Sequence, residues 1–199
     1  GGEAAWESWA VGVLRAFDRF RLLCAVRKGP WGVEELNRRV VASLQREGLL
    51  EPGRRDWYEG RPVLVTRNDY SLGLMNGDIG IALSLPVSEA ESGDVAQRAL
   101  RVVFPRDDGR PRYISPSRLG EVETVFAMTV HKSQGSEFEH CALVLPDTPN
   151  PVLTRELVYT GVTRARKCFS LLESRAGIFD QAVGRRVERR SGLRELLNA

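Results

Sequence analysis

The 199-residue sequence contains no match to the phosphate-binding pattern G-x-x-x-x-G-K-[ST], so it offers no P-loop for a nucleotide. It also lacks a carboxylate cluster suited to two-metal ligation, which argues against a metal-dependent nuclease. No apolar run is long enough to span a bilayer, and no signal-peptide pattern opens the chain. We therefore expect a cytoplasmic protein without a metal site of its own.

Cysteine is scarce, and its odd count of three argues against a disulfide framework. We interpret Cys24, Cys141 and Cys168 as reduced thiols of the core. His131 and His140 do not cluster with them at ligand spacing, so a zinc site is not expected.

The chain has little excess of charge of one sign, because its 29 Lys and Arg residues and 26 Asp and Glu residues leave a net charge of +3. This mild excess is compatible with a nucleic-acid partner without implying one. The chain begins without an initiator Met and enters a helical pattern almost at once. We expect such a start in a domain excised from a longer protein.

The first part of the chain has the alternation of an α/β protein. Apolar residues at helical spacing predict a helix over 4–20, and the short apolar run 21–26 predicts a buried strand. Helical periodicity resumes in VEELNRRVVASLQREG, with Gly48 as its stop. The segment 61–68 is strand-like.

The middle of the chain predicts a small antiparallel barrel over 71–118, because several short strands and tight turns occur there without a helix. The Asn-Gly pair in LMNGDIGIALSL predicts one hairpin between its flanking apolar segments. RALRVVF and RYISP predict a second hairpin.

The α/β pattern then returns. It predicts a strand over 124–130, a loop over 131–138, a strand over 140–146, a helix over 154–167 and a strand over 168–174. The predicted architecture is an α/β domain interrupted by a β module.

The loop sequence TVHKSQGSEF is unusually rich in groups that hydrogen-bond. These side chains are Thr129, His131, Lys132, Ser133 and Gln134. Gly135 would let a ligand approach the backbone, and Glu137 would accept from a ribose hydroxyl. A solvated connection is the plainer alternative, but a loop beyond a parallel strand is where α/β sheets bind ligands.

The second informative segment is YTGVTRARK. On the predicted helix, Thr160, Arg164 and Lys167 share one face, and an arginine on a rigid helix is what an arginine finger requires. The alternative is a helix with a basic end that complements its dipole. The segment alone does not decide between them.

TVHKSQGSEF resembles motif V of superfamily 1 helicases, and VYTGVTRAR resembles their motif VI, in matching order and spacing. Three further stretches are similar to the RecD subunit family of exonuclease V: FRLLCAVRKGPWGVEELN, GRPVLVTRNDYSLGLMNGDIGIAL and RVERRSGL. The resemblance covers nearly the whole chain from about residue 18. Motifs V and VI indicate the superfamily alone, and the other stretches favour RecD.

This resemblance implies the second of two RecA-like domains, a parallel sheet flanked by helices, with an inserted Src-homology-3-like β-barrel. It assigns residues 1–70 and 119–199 to the RecA-like domain and 71–118 to the barrel. The Walker A loop and the Asp-Glu metal motif belong to a first domain. ATP with Mg²⁺ would lie in the cleft between the domains, held mainly by the first.

By resemblance, Arg164 is the catalytic arginine finger. The family pattern assigns the nucleotide edge to Gly135 and Glu137, with Tyr159 and Thr163 as supports. Either Arg27 or Lys28 stands where the family places a motif IV cation near the phosphates. A solvated turn is the alternative for each of the two.

The resemblance also implies contacts with single-stranded DNA, from Thr129, His131 and Lys132 in motif V and from Arg67, Asn68 and Asn76 beside the barrel. Asn76 has a competing role as the turn residue of its hairpin. The arginines of residues 184–194 are explained more simply as a solvated helix face or a subunit contact, because Glu188 and Glu195 interrupt the charge.

The function implied is the C-terminal motor half of an ATP-dependent 5′-to-3′ DNA helicase, working with RecB and RecC in double-strand-break repair. The fragment alone is expected to hydrolyse no ATP. The alternatives are a relaxase- or phage-type superfamily 1 helicase and a non-catalytic module that docks on DNA or partner subunits.

Overall fold

The structure is a computed structural model that describes residues 2–51, 56–86, 98–106 and 108–187. Its helices are α1 (Gly2–Phe17), α2 (Val33–Arg46), α3 (Arg155–Val162) and α4 (Ile178–Gly184). Its strands are β1 (Phe20–Cys24), β2 (Pro62–Val65), β3 (Ile79–Pro86), β4 (Arg98–Phe104), β5 (Arg112–Ile114), β6 (Val122–Thr124), β7 (Ala127–Thr129), β8 (Phe138–Leu145) and β9 (Ala165–Glu173). Within these ranges, no helix is both long and apolar enough to cross a membrane.

Four strands form a parallel sheet in the order β7-β1-β8-β9, which confirms the predicted α/β layering. Neighbouring residues of a strand point to opposite faces. Cys24 and Val144 accordingly pack against α2 on one face. Leu143 and Leu145 belong to the cluster that includes α3 and α4 on the other face. Burial on both faces explains why these strands are continuous apolar runs.

The other five strands form an antiparallel sheet in the order β5-β4-β3-β2-β6. Helix α1 covers one face of this sheet, where Ala10 and Leu14 pack with Ile81, Leu83 and Val103. The predicted hairpin of RALRVVF and RYISP is confirmed as β4 and β5. No pairing of β5 with β6 occurs in the described ranges, so the closed barrel stays a prediction. The predicted limits 71–118 stay a prediction too, and β2 and β6 of this sheet lie on either side of them.

The strand predicted over 124–130 is wrong, because the chain changes sheets inside it. Thr124 pairs with Val63 in the antiparallel sheet, whereas Ala127 pairs with Leu22 in the parallel sheet. The amide of Val125 donates to the Pro62 carbonyl oxygen at 3.0 Å, immediately before the change. The predicted run therefore contains the last residue of β6 and the whole of β7.

Both predicted helix ends need correction. The helix predicted over 4–20 ends at Phe17, and Phe20 opens β1 opposite His140. The helix predicted over 154–167 ends at Val162, and Ala165 opens β9 opposite Phe138. Thr160, Arg164 and Lys167 consequently do not share a helical face. Pairing with the buried strand β8 outweighs the helical preference of the sequence TRARK.

The hairpin predicted at the Asn-Gly pair is also wrong, because the strands that pair are not the two apolar segments directly flanking it. Strands β2 and β3 pair through the loop of residues 66–78, and the Asn76-Gly77 turn lies at the end of that loop. Gly77 has a φ of +102°, which explains the glycine. Gly48, with a φ of +70°, follows α2 as predicted. Of the three cysteines, Cys24 and Cys141 are buried, but Cys168 is exposed on β9, so its assignment to the core is wrong.

Candidate functional site

The predicted site residues of the RecA-like part lie at the two opposite ends of the strands of the parallel sheet. We call the end where the strands begin the amino edge and the end where they finish the carboxyl edge. At the amino edge, Phe138 and Ala165 pair where β8 and β9 begin, so residues 135–137 and Arg164 precede them directly. At the carboxyl edge, Thr129 pairs with Cys24 where β7 and β1 end. His131 and Lys132 follow β7 there, and residues 27–28 follow β1.

Arg164 is held at the amino edge by backbone and side-chain oxygens. Its Nη1 donates to the Ser136 carbonyl oxygen at 3.0 Å, its Nε to the Thr160 carbonyl oxygen at 3.3 Å and its Nη2 to Thr163 Oγ1 at 3.4 Å. Its own carbonyl oxygen accepts from the Phe138 amide at 2.8 Å. The guanidinium thus bonds to both the loop after β7 and the end of α3, and no carboxylate neutralises it in the described part of the chain.

Glu137 precedes β8 as Arg164 precedes β9, and its carboxylate is already ion-paired. Its Oε2 accepts from Arg166 Nε at 3.0 Å, and both side chains are more than half exposed. One step further along β8, Glu139 meets Lys167 at 3.3 Å and Arg19 at 3.4 Å. The hydrogen bond from Lys167 and its charge, with a smaller contribution from Arg19, lower the pKa of Glu139. The buried Phe138 lies between the two glutamates, so both ion pairs stand on the solvent side of this end of β8.

The remaining amino-edge predictions differ in what surrounds them. Thr163 caps α3, where its Oγ1 donates to the Thr160 carbonyl oxygen at 3.1 Å and accepts from Arg164. Gly135 is exposed with a φ of +84° and has open space where a side chain would stand. Tyr159 lies on the exposed side of α3, and none of the described residues hydrogen-bonds to its hydroxyl. The fold brings Arg164, Thr163 and residues 135–137 together and leaves the Tyr159 ring in solvent.

At the carboxyl edge, the start of the motif V loop is a single turn of 3₁₀ helix over His131–Ser133. Thr129 Oγ1 accepts from the Lys132 amide at 3.3 Å, and the fully buried Ser133 donates to the Val130 carbonyl oxygen at 2.6 Å. His131 is exposed and Lys132 is half-buried. Hydrogen bonds of the half-buried Thr129 and the buried Ser133 thus fix a turn from which the His131 side chain reaches the surface.

The predicted motif IV cations belong to this carboxyl edge and not to the Arg164 edge. Arg27 and Lys28 are both exposed, and Arg27 pairs with Glu123 at 3.1 Å. Their turn is tight, since a Cβ on Gly32 would lie 2.5 Å from the Arg27 carbonyl oxygen. Arg27 also lines an open groove of about 700 Å³ beside α2.

The three predictions from the antiparallel module lie together on the loop of residues 66–78. Asn68 Oδ1 accepts from the Asn76 amide at 2.8 Å, and Asn68 Nδ2 donates to the Tyr70 hydroxyl at 3.2 Å. Arg67 is exposed and lies 3.7 Å from Glu121. The Asn68 side chain is therefore part of the loop scaffold.

Sequence reasoning missed two buried polar residues that support these edges. Arg21 is fully buried on β1 between the rings of Phe17 and Phe138, with its Nη2 3.1 Å from Asp18 Oδ1. Burial lowers the pKa of Arg21 to about 10. An arginine at the start of an apolar run gave no signal, because such residues usually lie at the solvated strand end.

The second missed residue is Asn37, which faces the edge strand β7 from α2. Its Nδ2 donates to the Ala127 carbonyl oxygen at 3.1 Å, and its Oδ1 accepts from the Ala127 amide at 2.9 Å. The same Nδ2 bonds the Val33 carbonyl oxygen at 3.0 Å. An asparagine on the apolar face of a predicted helix was the available signal.

No group of three or more His, Cys, Asp or Glu side chains able to hold a metal ion is found in the ranges described. Residues 188–199 lie outside those ranges, so most of the arginine-rich segment 184–194 and of the stretch RVERRSGL cannot be placed. Within the described part, Arg185 donates to the Asn150 carbonyl oxygen at 3.0 Å.

Residues 124–171 match the family model of the UvrD-like helicase C-terminal domain. The RecBCD enzyme subunit RecD of Mycobacterium tuberculosis is 44% identical over 94% of this chain and 30% of its own length. The RecD subunit of Haemophilus influenzae is 39% identical over 96% of the chain and 27% of its own length. The ATP-dependent RecD2 DNA helicase of Deinococcus radiodurans is 32% identical over 90% and 23%, respectively.

The chain thus spans about 30% of the length of the curated relatives it matches, while those relatives match almost all of the chain. Their names favour the RecD resemblance over the relaxase- or phage-type alternative. A helicase C-terminal family match across β7, β8, α3 and β9 fits the parallel sheet observed there. Together, the matches to RecD subunits over almost all of the chain and the match to a helicase C-terminal domain support a C-terminal fragment of a RecD subunit.

Proposed function

We propose that the chain is the second motor domain of an ATP-dependent 5′-to-3′ DNA helicase subunit of exonuclease V, a cytoplasmic enzyme of double-strand-break repair. The observation that carries this proposal is the placement of Arg164 at the amino edge of the parallel sheet. There, three oxygen acceptors fix its guanidinium beside residues 135–137. The names of the relatives, which include an ATP-dependent DNA helicase, support the same function.

The amino edge is the proposed nucleotide side. MgATP would be held mainly by a preceding RecA-like domain and would supply the phosphoryl group that is transferred to water. On this chain, Arg164 would stabilise the charge that builds on that group, and Glu137 would accept from the ribose after parting from Arg166. An exposed ion pair such as Glu137–Arg166 contributes little free energy, so its exchange costs little.

The carboxyl edge is the proposed DNA side. Thr129, His131 and Lys132 follow β7, and residues 27–28 follow the adjacent strand β1. We therefore assign Arg27 and Lys28 to the DNA backbone and not to the nucleotide phosphates. Contacts of this kind are sequence-tolerant and weaken with salt. Opening and closing of the cleft at one edge would move DNA along the other.

The partners that follow from this proposal are single-stranded DNA and the RecB and RecC subunits. RecB and RecC enter through the names of the relatives, which are RecBCD subunits.

A comparison of ATP hydrolysis by the 199-residue chain and by the full-length protein that contains it tests the proposal. The chain alone is expected to hydrolyse no ATP, because its sequence has no P-loop, whereas the full-length protein should be stimulated by single-stranded DNA. Turnover by the purified chain would reveal a phosphate site of its own. If single-stranded DNA did not raise the ATP hydrolysis rate of the full-length protein, the motor assignment would be wrong.

A further inference from the structure

We infer that Tyr70 is a stacking platform for one base of single-stranded DNA, with Asn68 as its positioning residue. This inference rests on the proposed function and names a contact on the antiparallel module. Tyr70 is 78% exposed, the highest exposure among the large hydrophobic side chains of the described residues. An exposed ring is an available π-face, and every base can stack on one.

The loop that presents Tyr70 is fixed by its own hydrogen bonds. Asp69 Oδ1 accepts from Ser71 Oγ at 2.7 Å and from the Leu72 amide at 3.1 Å. Backbone bonds join Asp69 and Leu74 in both directions. Arg112 Nη1 donates to the carbonyl oxygens of Leu72 and Gly73 from β5. The backbone on both sides of the ring is therefore held before any ligand binds.

The ring itself is oriented by Asn68. Nδ2 of this amide donates to the Tyr70 hydroxyl at 3.2 Å, and its Oδ1 accepts from the Asn76 amide at 2.8 Å. Asn68 thus ties the ring to the Asn76-Gly77 turn at the far end of the loop. A ring fixed in this way loses little conformational freedom when a base stacks on it, which favours binding.

The surroundings of Tyr70 fit a nucleotide better than a protein partner. A protein interface needs a contiguous apolar core, whereas the exposed neighbours here are polar or small, namely Asn68, Ser71, Gly73, Asn76 and Gly77. Met75, 47% exposed, is the one further large apolar side chain exposed on the loop. Arg67, with a side chain 77% exposed and only a long contact to Glu121, is available for a phosphate three residues before the ring.

The test is a binding cycle with the full-length protein. Fluorescein-labelled oligo(dT) is compared with an oligonucleotide of equal length that carries abasic residues, so that backbone charge is constant and only the bases differ. Wild type should prefer oligo(dT). Tyr70→Ala should weaken oligo(dT) binding by at least about five-fold and leave abasic binding unchanged, because one stack is worth about 1–3 kcal/mol. Tyr70→Phe keeps the ring but removes the hydroxyl that accepts from Asn68, so its loss on oligo(dT) should be smaller than that of Tyr70→Ala and no larger than that of Asn68→Ala.

The outcomes distinguish a failure of the Tyr70 stacking role from a failure of the proposed function. Equal losses on both oligonucleotides, or no loss on oligo(dT), would overturn the stacking role while leaving DNA binding at the carboxyl edge intact. If wild type fails to bind either oligonucleotide, the proposed function itself is wrong. Asn68→Ala should reproduce part of the Tyr70→Ala loss on oligo(dT), and this loss should vanish when Tyr70 is already alanine.

Discussion

Replacement of Arg164 by alanine in the full-length protein is expected to lower DNA-stimulated ATP hydrolysis by about 10³-fold or more, the range that removal of an arginine finger produces. The guanidinium sits at the edge where β8 and β9 begin, and in the described part of the chain it has oxygen acceptors but no carboxylate partner. Its charge is therefore available to a phosphoryl group. Steady-state turnover with saturating single-stranded DNA is the measurement.

Two control variants test whether the loss of turnover is specific to the Arg164 guanidinium. Arg175→Ala removes an exposed arginine that follows β9 at the opposite edge of the sheet, and its turnover should match wild type. Arg164→Lys keeps the charge but loses the planar fork, so it should recover only part of the rate. Thermal melting of each variant checks that removal of the bonds to Ser136 and Thr160 has not unfolded the edge. Wild-type turnover in Arg164→Ala would remove the finger assignment.

The second large effect is expected at Asn37, where leucine should lower the free energy of unfolding by about 2–4 kcal/mol. Leucine is larger than asparagine and favours the helix more, but it leaves the amide and carbonyl of Ala127 without partners inside the protein. Each buried polar group left unsatisfied costs about 1–3 kcal/mol. Urea denaturation of the 199-residue chain measures the change.

Ala42→Leu is the matched control, because it adds the same side chain to an exposed position of α2. It should unfold within about 0.5 kcal/mol of wild type. If Asn37→Leu proved as stable as this control, the amide would not be what holds the edge strand β7. The turn that carries His131 continues directly from β7, so the same variant tests what supports the carboxyl edge, which is the proposed DNA side.

The sequence predicted the parallel sheet well, since its central strands β1 and β8 are largely buried and read as apolar runs. It did not predict the boundary at Ala165, because TRARK favours a helix and only pairing with β8 makes it a strand. The division of 124–130 between two sheets was equally out of reach. An apolar strand pattern does not tell which sheet a strand joins, and residue 124 pairs in one sheet while residues 127–129 pair in the other.

For the site too, local sequence motifs identified some residues, whereas the position of others depends on the tertiary structure. The motif resemblance identified Arg164 and residues 135–137, and the fold brings them together. It also predicted that either Arg27 or Lys28 lies near the nucleotide phosphates, which stays a prediction, and the register of β1 with β7 puts both residues at the opposite end of the strands from Arg164. Such a placement depends on which strand lies beside which. Asn37 and Arg21 went unseen because a polar residue in an apolar pattern is normally a solvated one.

The separation of the two edges is the central claim, and the affinity of the full-length protein for fluorescein-labelled oligo(dT) tests it most directly. The double variant Arg27→Ala, His131→Ala should bind more weakly, and the slope of its salt dependence should fall by about 0.7 for each DNA phosphate that the protein no longer neutralises. Arg164→Ala should bind within about two-fold of wild type, because its effect belongs to the chemical step. Loss of DNA binding in Arg164→Ala, with normal binding in the double variant, would contradict the account.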